Sequence, residues 1–339
     1  MKALQYNPWR NWKYFINLIP VSLVLIGNLN GSYYSLLNFA FTFVILGMAE
    51  LLLPENKSNV AGADNVVPDL LMLLVVLSQF VAIGSLIYGV YNGILTGYWV
   101  LAAALSTGTA AGSLGIVTAH ELIHKKDRFW NFLGRVLLFS VFNPYFYVHH
   151  LRVHHKSVGT VADPVTARAG ETFYAYLLRS FSGQISQSLA LEKSRLQQSG
   201  RWSYGMHNYV VAVFAGMLLV LGLLWCFLSF YVALAVLLQA VLANILLEYT
   251  NYIEHYGLSR AEKERVNEMH SWQSDRIVSR YFLIDLSRHA DHHFHAAKPF
   301  NTLVSYEKSP VLPGGYSSMF LPALVPPLWF KIVDPHLPV

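Results

Sequence analysis

The chain has 339 residues, 54% of them hydrophobic and only 13% charged, with a mean hydropathy of +0.39, whereas a water-soluble domain carries about 25% charged residues. Its 24 basic and 19 acidic side chains give a formal charge of +5, yet no Lys or Arg occurs from Tyr14 to Asn56, from Ser58 to His124 or from Trp202 to Ser259, a distribution that reflects membrane topology and excludes nucleic acid as a partner. The single cysteine, Cys226, excludes an intrachain disulfide and a built-in iron–sulfur centre, which needs about four thiolates.

A membrane-spanning helix needs about 20 apolar residues. Six such segments follow one another: Tyr14 to Leu29, which contains Asn17 and Pro20, then Tyr33 to Leu53, Asp69 to Tyr91, Leu95 to Ala119, Tyr209 to Ser229 and Phe230 to Tyr249. They predict an all-α membrane protein forming a single integrated domain, residues 1–339, with a helical cap from 120–208 and 250–339. The spans pair into three hairpins whose turns, at Asn30 to Ser32, Asn92 to Gly93 and Ser229 to Phe230, hold no charge. Every Lys and Arg falls on the other side, so both termini and the cap are expected in the cytoplasm.

Within the cap, Asp127 is placed to cap the run RFWNFLGRVLLF, which reads as an interfacial helix or one packed beneath the spans. The stretch GETFYAYLLRSFSGQISQSLALEKSRLQQ has a helical period and a basic, polar face, which predicts a solvated amphipathic helix.

Eleven of the fourteen histidines fall into four groups, all at span ends or in the cap. His120 and His124 stand in HELIHK, i and i+4 on one helical face. His149, His150, His154 and His155 form HHLRVHH, His255 follows the sixth span in NYIEHYGL, and His289, His292, His293 and His295 make RHADHHFH. Imidazoles gathered this closely repel when protonated, and a shared metal holds them neutral. HELIH also satisfies the H-E-x-x-H pattern of zinc proteases, with Glu121 as base, but that site leaves nine clustered histidines without a role. Eight or nine imidazoles suit two ions of higher coordination, and imidazole with open positions suits iron that handles dioxygen.

HELIHK, HLRVHH followed by VGTVADPVTAR, the NYIEHYGL box and LSRHADHHFHAAKPF together resemble the integral-membrane alkane 1-monooxygenases, within the histidine-box di-iron hydroxylases and desaturases. The likeness runs from about Tyr33 to Pro335 and includes the closing LPGGYSSMFLPALVPPLWFKIVDP; the NYIEHYGL box separates it from desaturases. The resemblance implies two iron ions held by His120, His124, His150, His154, His155, His255, His289, His292 and His293. It implies terminal hydroxylation of an apolar alkane from the bilayer by dioxygen, with electrons from a separate rubredoxin or ferredoxin and its reductase, in a bacterial inner membrane. The alternative is a related hydroxylase or desaturase acting on fatty acyl chains, aryl methyl groups or terpenoids.

The chain departs from the family at His149, where Glu is common, and at Ile123, where Gly is common. His149 is expected to alter the surroundings of the ligands or to add one, and Ile123 to add bulk at the substrate tunnel. Glu121, Asp163, Glu254 and Asp291 neighbour ligands and are candidates to orient imidazoles through their second nitrogens, with His295 a further candidate beside the third box. Phe39, Phe41, Phe43 and Met48 are candidates to set the length of the substrate slot. For an acidic carrier, Arg152, Lys156, Arg168, Arg179, Lys193, Arg195 and Arg201 are candidate docking residues.

Overall fold

In a computed structural model, which describes residues 8–59 and 66–338, helices account for nearly all regular structure, and among the described residues no strand forms. Six helices are long and apolar enough to cross a membrane: α1 (Arg10–Asn30), α2 (Ser32–Leu52), α3 (Val66–Tyr91), α4 (Tyr98–His124), α8 (Tyr209–Phe227) and α9 (Phe230–His255). Between α4 and α8 lie α5 (Arg128–Ser140), α6 (residues 146–157) and α7 (Phe173–Gln198); α10 (Ile277–Phe282), α11 (His289–Phe294), α12 (Phe320–Leu324) and α13 (Pro326–Val333) follow α9.

The fourth and sixth spanning helices run past the apolar segments read from the sequence, so α4 carries His120 and His124 and α9 carries His255 as the last turns of continuous rods. What joins these two rods is small-residue packing. A Cβ on Gly108 would stand 2.5 Å from the Gln239 carbonyl, and one on Gly112 3.1 Å from the Leu246 Cβ. With no hydrophobic drive between helices in lipid, such close backbone approach is a main source of association. Polar seams add to it: Asn28 donates to Ser85 Oγ at 2.9 Å and Thr107 Oγ1 at 3.2 Å, and Asn38 to the Ser106 carbonyl at 2.8 Å. Helix α8 is the peripheral span, with most of its apolar side chains facing outward.

Asp127 caps α5 as its sequence indicates, accepting from the Phe129 and Trp130 amides at 2.9 and 3.2 Å. Gly134 of that helix lies against Ile123, where a Cβ would come within 2.8 Å of the Ile123 Cγ2. Ile123 therefore fills the α4–α5 contact and is absent from the lining of the cavity between the spans.

Helix α7 also differs from its reading. Its buried face is polar, with Tyr176, Ser180, Gln184, Ser188 and Glu192 spaced every fourth residue. Glu248 of α9 explains this, since its buried carboxylate accepts from Ser180 Oγ at 2.6 Å, Gln184 Nε2 at 2.7 Å and the Tyr176 hydroxyl at 3.2 Å. Tyr174, Leu178 and Ile185 face outward instead. A buried carboxylate needs several donors, and this requirement turned the polar side of α7 inward.

Candidate metal centre

The C-terminal ends of α4 and α9 meet α6 and α11, and the four histidine boxes close into one cluster. Its ring nitrogens separate into two groups: His120, His124, His150, His155 and His292 in one, and His154, His255, His289 and His293 in the other, with the nitrogens of each group all within 4.8 Å of one another. The division depends on α6. Its turn over His150–His154 is a wide π-type turn, which brings residues i and i+5 to the same side. His150 and His155 thus approach to 2.9 Å between Nε2 atoms and share a group, while His154 points into the other.

The spacing tests whether a metal fits. A metal–imidazole bond of about 2.1 Å gives neighbouring nitrogens about 3.0 Å apart at right angles and about 3.4 Å apart in a tetrahedron. In the group of five, the Nε2 atoms of His124, His150 and His155 stand 3.0, 3.1 and 2.9 Å apart. In the group of four, the His154–His293 and His255–His289 Nε2 separations are 3.2 and 3.3 Å. Both groups fit a metal ion.

The electrostatics agree. Burial first, and then the neighbouring imidazoles, hold His150, His155, His289, His292 and His293 well below the usual histidine range. These rings are neutral at physiological pH, the form that ligates metals.

The surrounding carboxylates divide by role. Asp163 accepts from His154 Nδ1 at 2.9 Å, fixing the ring so that Nε2 faces the group; burial raises its carboxyl, but His154, His149 and His255 together leave it lowered. Glu254 lies 3.2 Å from His289 Nε2 and accepts from the Tyr316 hydroxyl at 2.7 Å. Asp291, by contrast, binds His295, Lys298, the Val304 amide and the Tyr306 hydroxyl, and so braces the loop after α11 instead of orienting a grouped imidazole. His295 is half-exposed and outside both groups. Glu121 accepts a long 3.5 Å contact from the Phe300 amide.

His149 also stands outside the groups. Its Nε2 lies 2.9 Å from Gln187 of α7, and burial lowers its pKa to about 4. Being one residue before His150, it faces α7 and not the nitrogen cluster, which corrects the expectation of an added ligand.

A cavity of about 800 Å³, counting the open solvent at its mouth, reaches Glu254, whose carboxylate stands between it and His289 of the group of four; among the described residues no histidine lines the cavity itself. Its walls come from α1, α2, α4, α9, α10 and the loop carrying Tyr316. Of the four slot candidates, Phe43 lines it; Phe39 packs on Phe43 at 4.9 Å between ring centres, Phe41 backs the lining Phe282 at 5.9 Å, and Met48 is exposed on the outer surface of α2. Sequence reading missed Tyr316, Glu50 and Asn17, which line the same cavity; only the PGGYSS run signalled the first. There Gly315 is required, because a Cβ would stand 2.2 Å from the Glu50 carboxyl carbon.

Among the docking candidates, Arg179 is committed to Glu171 at 2.7 Å and to the Pro164 and Thr166 carbonyls, and Arg195 to Glu192 and the His207 carbonyl. Arg152, Lys156, Arg168, Lys193 and Arg201 are exposed.

A membrane-spanning helical bundle that ends in two groups of closely packed imidazoles defines a histidine-ligated metalloprotein of the membrane. The sequence pattern of the fatty acid desaturase family matches residues 96–322. Similar proteins include alkane 1-monooxygenase 2 of Alcanivorax borkumensis, 33% identical over 99% of this chain and 92% of that protein. Alkane 1-monooxygenase 1 of Pseudomonas aeruginosa is 37% identical over 78% of this chain and 72% of its own. The xylene/toluene monooxygenase hydroxylase component of Pseudomonas putida is 25% identical over 95% and 87%, respectively. The chain belongs to the fatty acid desaturase family, in its alkane 1-monooxygenase branch.

Proposed function

We propose that this enzyme converts the terminal methyl of an alkane-like substrate to a 1-alcohol, using dioxygen and electrons from a rubredoxin- or ferredoxin-type carrier with its reductase. The observation that carries the reading is the cavity that leads from the spans to Glu254, whose carboxylate lies 3.2 Å from His289 of the group of four. The nine grouped histidines would hold two irons, five imidazoles on one and four on the other. When bound, the irons supply dioxygen activation, which an unactivated C–H bond demands and which acid–base side chains cannot provide.

The chain's own residues do the positioning. Leu46, Leu114, Leu246 and Leu283 give the cavity apolar walls that hold a hydrocarbon and exclude water. Asp163 keeps Nε2 of His154 turned to the group, and Tyr316 holds the Glu254 carboxylate at the junction of cavity and imidazoles. The exposed cations Arg152, which also pairs with Glu192 at 3.8 Å, Lys156 and Arg168 form the basic surface for an acidic carrier. The enzyme sits in a bacterial inner membrane with its histidine centre and termini in the cytoplasm, where such carriers are reduced.

Likeness to the xylene/toluene hydroxylase component supports a second reading, hydroxylation of an aryl methyl group. Conversion of nonane and of para-xylene by cells co-expressing a rubredoxin and its reductase, with metal analysis of the purified protein, tests both. Nonan-1-ol and two irons per chain are expected. A benzylic alcohol alone selects the second reading, and an alkene or a single zinc overturns both.

A further inference from the structure

The cavity is not uniformly apolar, and its polar groups differ in whether they are satisfied. Glu50 accepts from Ser279 Oγ at 2.5 Å and the Ser318 amide at 2.7 Å. Tyr249 donates to the Tyr316 carbonyl at 2.5 Å, and Ser113 to the Thr109 carbonyl at 2.8 Å. Asn17 of α1 is different: 1% exposed and lining the cavity, it has no hydrogen-bond partner for either Oδ1 or Nδ2. Among the described residues it is the only buried side-chain amide with both polar atoms unpartnered.

Six other buried amides of the bundle, Asn28, Asn38, Gln79, Asn143, Asn244 and Gln239, each donate across a helix contact. Asn17 therefore does not serve helix association. A buried, wholly unpaired amide is costly, and an apolar pocket with one placed polar group is how ligand sites fix orientation.

We propose that Asn17 is a polar recognition point within the substrate cavity, and that the enzyme takes aliphatic chains carrying an ether, ester or hydroxyl oxygen in preference to the bare hydrocarbon of equal length. Nδ2 donates to that oxygen, and Oδ1 accepts from a hydroxyl where one is present. The proposal rests on the cavity being the substrate site, as in the preceding reading, and names the chemistry of what enters it.

The test is an oxygen scan. Nonane is compared with its single-oxygen replacements of the same chain length: methyl heptyl, ethyl hexyl, propyl pentyl and dibutyl ether. Binding is read from ligand-induced thermal stabilisation of the holoenzyme in nanodiscs, and turnover from product formation. At one oxygen position the wild type should bind the ether about three- to tenfold more tightly than nonane, the range of one neutral hydrogen bond, and the gain should appear in KM more than in kcat. Asn17→Leu, which keeps the shape and removes both polar atoms, should abolish that peak, and Asn17→Ser should keep part of it. The wild-type scan alone decides should the Leu variant fail to fold.

Ethers that bind no better than nonane at any position overturn the proposal, as does a preference that survives in Asn17→Leu. An ether peak in binding with no oxygenated product from any compound overturns the hydroxylase reading and leaves the recognition point standing.

Discussion

Asp163 offers the sharpest perturbation of the centre. Its Oδ2 accepts from His154 Nδ1 at 2.9 Å and from Thr166 Oγ1 at 2.8 Å, and its Oδ1 accepts from the Val165 amide at 3.1 Å, all fully buried. Asp163→Asn keeps the shape but removes the charge and sets an amide against the imidazole; Asp163→Ala removes the acceptor altogether. Loss of such an outer partner costs metal affinity about 10- to 100-fold, or about 1.4 to 2.7 kcal/mol. The loss should fall on one ion, because His154 belongs with His255, His289 and His293 and not with the group of five. Purified apoprotein titrated with ferrous ion against a chromophoric chelator gives two binding constants, with helical circular dichroism as the folding control. One should weaken by that factor in Asp163→Asn, and more in Asp163→Ala, while the other stays within threefold. Equal weakening of both constants, or of neither, would refute the argument that Asp163 acts through His154.

Other outcomes follow from the same geometry. His155→Ala should lose metal from the group of five and His289→Ala from the group of four, so each variant retains about one ion per chain by elemental analysis; complete loss in both would mean the groups fold as one unit. Gly315→Ala places a methyl 2.2 Å from the Glu50 carboxyl and should lower stability by about 1–3 kcal/mol, read as a fall in thermal midpoint. Reversing Arg152, Lys156 and Arg168 should raise the KM for the carrier several-fold with iron content unchanged, whereas Arg179→Glu should destabilise the fold because that guanidinium is committed to Glu171 and two carbonyls. The pKa of His149, lowered to about 4 by burial, means that the unfolded chain takes up a proton near pH 6.5 which the folded chain refuses. Its contribution is complete above about pH 6.5 and is lost as pH falls toward 4, by up to about 3 kcal/mol. His149→Gln should flatten that part of the stability profile.

Much of this was legible in the sequence because it depends on one-dimensional spacing. Apolar runs long enough to cross a bilayer, the absence of Lys and Arg within them, Asp127 before an amphipathic run and the four histidine boxes are all local patterns. What the spacing did not hold is which groups meet. The division of nine histidines into five and four turns on the wide turn at His150–His154, and an ordinary helical period pairs His150 with His154 instead of His155. The inward polar face of α7 required Glu248 from a helix some 60 residues further on, and Arg179 reads as a free cation until Glu171 and two carbonyls close around it.

Asn17 reads as one polar residue in a span, and only the cavity wall makes it an unpaired amide facing an open space between the helices. Residue type, period and charge placement are properties of the chain itself, so sequence determined the membrane bundle and the ligand inventory. Partnership, burial and the sharing of a metal are relations between distant segments, and only tertiary packing decided them.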